Sequence, residues 1–150
     1  MHRVMRKWVM RRKPLVHVYS LVGHLCSPNK TIMADAAIAM SLNMAEYESA
    51  VENLVKKLLL DPNLVGSARL ERLAWLMDEF WKDLNHFQSH TGVYDRDYIW
   101  VSASKEDCEA HRWHQRYSLG RTASFGPLAC LVTSKPGGSG TCERNWKQYK

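Results

Sequence analysis

A short stretch near the end of the chain brings an acid, a base and an aromatic side chain together. The stretch reads Thr141-Cys142-Glu143-Arg144-Asn145-Trp146. Thr141 is a suitable helix N-cap, which would place the Glu143 carboxylate in the first turn, where the helix dipole favours negative charge. Arg144 is equally well explained as a phosphate contact or as a solvated base. Trp146 is better explained as a packed or interfacial side chain than as a platform for base stacking.

A second group of residues has the types that bind metal ions. Cys108, His111 and His114 follow one another at steps of three, which places them on one face of a predicted helix. A tetrahedral zinc site needs a fourth ligand, and none is evident nearby, so a polar or half-buried helix face is the favoured interpretation. His86 and His90 are four residues apart but lack the glutamate of an H-E-x-x-H motif. We therefore predict no metal site and no cofactor.

Motifs for other kinds of chemistry are also missing. No G-x-S-x-G occurs, so a nucleophilic serine has no motif support. The run from Gly137 to Gly140 lacks the Lys-Ser/Thr and the preceding strand of a phosphate-binding P-loop. We predict that the chain is not an enzyme.

Apolar residues repeat with helical spacing along most of the chain, and helices must therefore position these groups. The alanine- and methionine-rich residues 31–42 predict one helix, and Asn43 with Glu46 forms a capping-box signal for the next. Asp61-Pro62-Asn63 predicts the end of that second helix. Its apolar face is predicted to contain Met44, Tyr47, Val51, Leu54, Val55, Leu58 and Leu59.

The clearest helical pattern lies between Ser67, a candidate cap, and Gly92, a candidate stop. Its wide apolar stripe contains Leu70, Leu73, Ala74, Met77, Phe80, Trp81, Leu84 and Phe87. The opposite face is predicted to be outward and charged, with Glu71, Arg72, Asp78, Glu79, Lys82 and Asp83. An irregular aromatic connection is predicted around Tyr94 to Trp100, followed by a helix starting at Ser104. These patterns predict a mainly α fold.

Length and composition indicate one domain's worth of chain. The chain has 150 residues, of which 45% are hydrophobic, enough to bury a core. Four separated cysteines without a C-x-x-C pair favour reduced thiols in an intracellular protein, nuclear or cytoplasmic. No apolar run is long enough to span a bilayer, so no membrane association is expected. The N-terminus lacks the apolar core of a secretory signal.

The positive charge is concentrated at the start of the chain. The formal net charge is +6, and the first thirteen residues hold a basic cluster of Arg3, Arg6, Lys7, Arg11, Arg12 and Lys13. Such an arm can bind nucleic-acid phosphates by releasing counterions. A solvated basic segment is the simpler interpretation and is favoured for charge runs in general.

Residues near the C-terminus resemble a known family. The matching positions are Leu128, Ala129, Val132, Ser134, Ser139 and the run from Cys142 to Trp146. Together they resemble the C-terminal dimerisation region of hAT-superfamily transposases. Trp113 and Tyr117 are similar to the family's W-W-x-x-Y-G block, with His114 in place of the second tryptophan and Ser118 in place of the glycine. Arg6-Lys7-Trp8 and Pro14 to His17 are similar to an upstream R-W … P-L-H segment.

This resemblance implies an irregular helical array, a fragment of the C-terminal part of a ribonuclease-H-like transposase. It divides the chain into a basic segment and apolar helix (1–30), a helical region (31–118) and a dimerisation motif (119–150). The implied partner is a second copy or a related hAT-type protein. The implied dimer interface contains Leu128, Leu131, Val132, Cys142, Arg144 and Trp146, and exposed apolar faces are expected at Leu128, Leu131 and Trp146.

The resemblance also assigns a role to Glu143. In the family this glutamate is similar to the third acid of a two-metal site, whose two aspartates lie far upstream on strands of the core sheet. The present chain has no such strands carrying an aspartate, and a lone carboxylate cannot hold two metals. We therefore expect dimerisation without strand transfer, in a transposon-derived remnant that ends where the family's last helix would continue. The alternatives are a nucleic-acid-binding module and a helical scaffold with no specific activity.

Overall fold

The computed structural model describes residues 17–134, and residues 1–16 and 135–150 lie outside this part. The described chain is mainly α-helical, as predicted, and it contains no strand beyond an isolated bridge between Leu119 and Thr122. In chain order its elements are α1 (residues 17–25), α2 (Lys30–Leu42), α3 (Met44–Leu58), α4 (Gly66–Ser89), a 3₁₀ turn (Gly92–Tyr94), α5 (Asp97–Ala103), α6 (Ala110–Tyr117) and α7 (Phe125–Ser134).

Two asparagines stand before helices α2 and α3, and only the first caps with its side chain. The Asn29 side-chain oxygen accepts from the backbone amides of Thr31 and Ile32 at 3.0 and 3.2 Å, which satisfies two of the free amides of the first turn. The capping box predicted from Asn43 and Glu46 is wrong, because Asn43 makes no side-chain cap bond. Its amide group instead donates backwards to the Ala39 carbonyl at 3.4 Å.

Helix α4 is the longest described element, with 24 residues. It begins at Gly66, whose φ of +61° suits glycine, so the predicted cap at Ser67 is wrong and Val65 stands at that position without a side-chain bond. The helix ends at Ser89, and His90 follows it in a left-handed conformation with φ 57°. Gly92 then begins the 3₁₀ turn rather than ending the helix directly.

The region after α4 is more regular than its sequence predicts. The connection from Tyr94 to Trp100 was expected to be irregular, but it contains the end of the 3₁₀ turn and the start of α5. Helix α6 begins at Ala110, so the predicted start at Ser104 is wrong. Ser104 instead ends α5, where its hydroxyl donates to the Val101 carbonyl at 2.8 Å.

The ring of Phe87 lies at the centre of an aromatic cluster between α4, α6 and α7. Its centroid is 5.1 to 5.8 Å from the rings of Tyr94, Trp100, Trp113, His114 and Phe125. All five pairs are edge-to-face or tilted, and none is a face-to-face sandwich, the arrangement that aromatic quadrupoles disfavour. Both indoles of the cluster are hydrogen-bonded, since Trp113 Nε1 donates to the Ile99 carbonyl at 2.9 Å and Trp100 Nε1 to the Tyr94 carbonyl at 2.8 Å.

Helix α7 enters this core through a close approach to α6. A Cβ placed on Gly126 would lie 2.5 Å from Thr122 Oγ1 and 2.8 Å from the Ser118 carbonyl carbon, so only glycine fits here without a shift. The Gly126 amide donates to Thr122 Oγ1 at 2.7 Å. One continuous hydrophobic core results, and it includes residues from all three regions into which the sequence was divided.

Candidate interaction surface

The residues predicted to form a dimer interface do not lie together on the surface of the described chain. Leu128 and Val132 are fully buried among residues of their own chain. The expectation of an exposed apolar face at Leu128 is therefore wrong, because α7 packs into the core instead of covering it from outside. Leu131 is partly exposed.

Three other residues of the predicted interface, Cys142, Arg144 and Trp146, lie outside the described residues, as does Glu143.

The predicted nucleic-acid-binding residues, which lie in the first thirteen positions, are also outside the described part. The charge of the described part is nevertheless informative. Residues 17–134 contain eleven Lys and Arg against fourteen Asp and Glu, a formal charge of −3. The basic character of the chain therefore belongs to its two ends and not to the helical body.

The sequence placed Cys108, His111 and His114 on one helix face, but the structure does not assemble them into a metal site. Cys108 lies before the start of α6, and His114 points into the core. His111 Nε2 is 3.9 Å from the Glu109 carboxylate, and its Nδ1 is buried without a hydrogen-bond partner. Within residues 17–134 no three His, Cys, Asp or Glu side chains are grouped closely enough to hold a metal ion.

His114 takes part in a chain of hydrogen bonds whose direction is fixed. Its Nε2 lies 2.5 Å from the Cys26 carbonyl oxygen, which can only accept, so Nε2 carries the proton. Nδ1 of the neutral ring must then accept, and the Ser118 hydroxyl donates to it at 2.7 Å. The Tyr94 hydroxyl donates in turn to Ser118 Oγ at 2.8 Å. The chain joins the end of α1 to α6 and to the 3₁₀ turn.

Burial changes the acid–base properties of these groups. It lowers the pKa of His114 from 6.5 to about 4, because the charged imidazolium would lose its hydration, and the bond to Cys26 only partly opposes the shift. Burial also raises the pKa of the Tyr94 hydroxyl and of the Cys26 thiol. All of these groups are uncharged near neutral pH.

A serine that donates to a histidine is also the arrangement of an activated nucleophile. Here Tyr94, His114 and Ser118 are each fully buried, so no substrate can reach the hydroxyl. The chain of hydrogen bonds satisfies polar groups inside the core and is a structural feature. Little in the sequence predicts this chain of hydrogen bonds, since the Cys26 carbonyl is 88 residues away from His114.

The other histidine pair, His86 and His90, closes the end of α4. The Ser89 hydroxyl donates to the Asn85 carbonyl at 2.7 Å, so Thr91 must donate to Ser89 and His86 Nδ1 must donate to Thr91, each at 2.8 Å. His90 stacks on the Trp100 ring with centroids 3.7 Å apart. Both imidazole rings therefore make contacts with residues close to them in the sequence.

Ten large apolar side chains are exposed on the surface of the described part. Nine of them fall into three groups along the chain, and the tenth is Leu119. The groups are Ile38, Leu42 and Met44 on α2 and the start of α3, then Val65, Leu70 and Trp75 at the start of α4, and then Val93, Tyr98 and Val101 around α5.

The first half of α4 departs from its predicted pattern. Leu70 was placed in a buried stripe, but 67% of it is exposed, because the neighbouring helices do not cover the first turns of α4. The Arg72 guanidinium lies 4.5 Å from the Trp75 ring centroid, a cation–π contact that covers part of that ring. The second half of α4 departs from the pattern in the opposite direction. Asp83 belongs to the face predicted to be outward, but it is buried.

Burial raises the pKa of the Asp83 carboxyl.

No helix in the described residues is both long and apolar enough to cross a membrane.

Comparisons with known proteins give no relative. No family model matches the chain, and neither the curated proteins nor the solved structures contain a match to it.

Proposed function

We propose that this chain is a protein-association module that forms a homodimer. The observation that carries the proposal is the set of large apolar side chains that are exposed in three groups along the described chain and lie outside its hydrophobic core. Single exposed apolar residues are normal on soluble proteins, whereas apolar residues gathered on one face typically mark an interaction surface.

The resemblance to the C-terminal dimerisation region of hAT transposases supports the same function. Its most specific part, the run from Cys142 to Trp146, follows directly on α7 and the glycine-rich segment in the sequence. Leu131 of α7 is partly exposed, as are Pro127 and Cys130, and can contribute to a contact. In this proposal the chain is a remnant of a ribonuclease-H-like transposase, nuclear or cytoplasmic, and Glu143 lacks the partner acids for strand transfer.

Size-exclusion chromatography with light scattering tests the proposal. We expect a dimer that dissociates on dilution, since no covalent link is required. Leu131→Asp and Trp146→Ala weaken the dimer if the C-terminal segment takes part, and Leu119→Asp serves as a matched control on an exposed leucine outside the three groups. A monodisperse monomer at high protein concentration would contradict dimerisation and favour a helical scaffold with no specific activity.

The absence of strand transfer has its own test. A metal-dependent DNA-nicking assay is expected to give no turnover. Nicking that is lost on Glu143→Gln would overturn this part of the proposal.

A second candidate function, nucleic-acid binding, is favoured by the distribution of charge. The first thirteen residues carry six basic and no acidic side chains, while the described body has a formal charge of −3. Binding would therefore depend on the arm, and neutralising up to six phosphates gives a log–log salt slope as steep as about −5. Deleting residues 1–13 should abolish salt-sensitive DNA binding, whereas Lys56→Ala, on the outer face of α3, should leave it unchanged.

A further inference from the structure

Helix α2 has few charged residues, and within residues 17–134 only one side of it is covered by other elements. Of its thirteen residues only Lys30 and Asp35 are charged. Met33 and Ala36 face the core and are buried. On the side that the described residues leave uncovered, Lys30, Thr31, Asp35 and Ser41 are exposed together with the apolar side chains.

The uncovered side of α2 has a regular composition. Ala34, Ile38 and Leu42 are exposed at steps of four residues and form one ridge along the helix, with 61% of Ile38 and 76% of Leu42 accessible to solvent. Asp35 and Ser41 flank the ridge. Interface centres are depleted in charged residues, and this ridge has the same property.

We propose that this ridge packs against the same ridge of a second copy, with the two α2 helices antiparallel and Ile38 next to the two-fold axis. The inference rests on the proposed homodimer and specifies its contact surface. A two-fold interface uses one patch on both subunits, so the patch must be complementary to itself. Ridges formed by residues four apart can interdigitate in the commonest class of helix packing.

The antiparallel arrangement follows from side-chain size and charge. With Ile38 opposite Ile38 of the second copy, Leu42 faces the partner's Ala34, which places a large side chain against a small one. Asp35 then faces the partner's Ser41. A parallel arrangement would instead oppose Ala34 to Ala34 and bring two Asp35 carboxylates together, which leaves a gap and adds like-charge repulsion.

The size of the contact determines the strength expected. Helix α2 has 13 residues and is about 20 Å long, and a single pair of such helices covers less than the ~800 Å² per partner of a standard interface. The dimer should therefore be weak, with a dissociation constant in roughly the micromolar range, and should depend little on salt because its centre is uncharged.

Analytical ultracentrifugation of the full chain separates this inference from the proposed function. Ile38→Asp should raise the dissociation constant at least about tenfold, since it buries a charge at the centre of the contact. Leu119→Asp makes the same kind of change at an exposed leucine outside the three groups and should leave the dissociation constant unchanged. If the wild type is a dimer that Leu70→Asp weakens and Ile38→Asp does not, homodimerisation stands and the role of α2 is overturned. A monomeric wild type would contradict both.

Cysteine cross-linking tests the orientation even if Ile38→Asp affects folding. Two Ala34 residues in an antiparallel pair are about 12 Å apart along the helix axis, beyond the reach of a disulfide. Ala34→Cys mixed with Leu42→Cys should therefore cross-link under mild oxidation, and neither variant should do so alone. Cross-linking of each variant with itself would overturn the antiparallel arrangement, and Leu70→Cys gives the background of the natural cysteines.

Discussion

The aromatic cluster around Phe87 and the exposed ridge of α2 differ in the kinds of residue they contain and in how far those residues are buried. In the cluster, five rings surround Phe87 and the buried polar groups of Tyr94, Ser118 and His114 are hydrogen-bonded to one another. The α2 ridge has small and aliphatic side chains, no aromatic ring, and one side open to solvent.

This difference separates what holds the chain together from what is available to a partner. A buried ring with partners on every side stabilises the fold through its own chain, so changes in the cluster should act on unfolding. An exposed aliphatic ridge contributes little to the monomer, so changes there should act on association.

The largest effect is expected for Phe87→Ala. The substitution removes the ring at the centre of the cluster, and truncating a buried phenylalanine costs about 3–5 kcal/mol. Trp75→Ala removes a larger ring, but from an exposed position on α4, and should cost less than about 1 kcal/mol. Urea unfolding of the two variants measures both, and equal losses of stability would contradict the difference between the regions.

Acid should destabilise the cluster through His114. The unfolded imidazole binds a proton below pH 6.5, while the folded one does so only near pH 4. The free energy of unfolding should therefore fall as the pH is lowered from 6.5 to about 4, by about 3 kcal/mol in total. Chemical denaturation at a series of pH values measures this slope.

His114→Gln is the control for the acid effect. Burial also lowers the pKa of His90 and raises that of Asp83, and protonation of the buried Asp83 favours the folded state. Both groups are present in the variant as well, so the difference between the two pH profiles isolates His114. A variant whose stability falls with pH as steeply as that of the wild type would rule out this role of His114.

Gly126→Ala tests the close contact of α6 and α7. The added methyl group would lie against the Ser118 carbonyl and the Thr122 hydroxyl, and overpacking of this kind costs about 1–3 kcal/mol. Gly66→Ala, at the start of α4, meets nothing within 4 Å and is strained only by its φ of +61°, a cost of about 1 kcal/mol. Thermal unfolding should show a lower melting temperature for Gly126→Ala than for Gly66→Ala.

The smallest effect is expected from the two asparagines before α2 and α3. Asn29→Ala removes two bonds to the first turn of α2 and should cost about 1 kcal/mol. Asn43→Ala removes no cap bond and should cost only a few tenths. If Asn43→Ala proved the more destabilising of the two in denaturant titrations, the capping assignment would be wrong.

Periodicity in the sequence predicts the helical elements well. It gives the buried Tyr47, Val51, Leu54 and Val55 of α3 and the core side chains of the second half of α4, while the helix propensity of alanine and methionine gives α2 almost to the residue. Local spacing carries this information, because residues three and four apart share a face whatever the tertiary structure is.

Periodicity does not show how far a neighbouring helix extends. Helix α4 has 24 residues and α3 has 15, so α4 is longer by about 13 Å, and the first turns of α4 keep Leu70 exposed although it belongs to the apolar stripe. The reverse holds for Asp83, which neighbouring elements cover.

Local sequence patterns also do not predict the candidate contact surface. The small number of charged residues in α2 is plain in the sequence, but only its neighbours decide which side stays open. The residues that the resemblance placed at an interface, Leu128 and Val132, are apolar enough for either role, and the packing of α7 places them inside.

The hydrogen bond between His114 and the Cys26 carbonyl has a consequence for how the protein is made. The two residues are 88 positions apart. During translation the first helix leaves the ribosome long before α6 has been synthesised, at roughly 5–20 residues per second. The Cys26 carbonyl, just after α1, therefore remains without its native partner for several seconds, so the nascent chain can complete this part of its core only when most of the polypeptide has emerged.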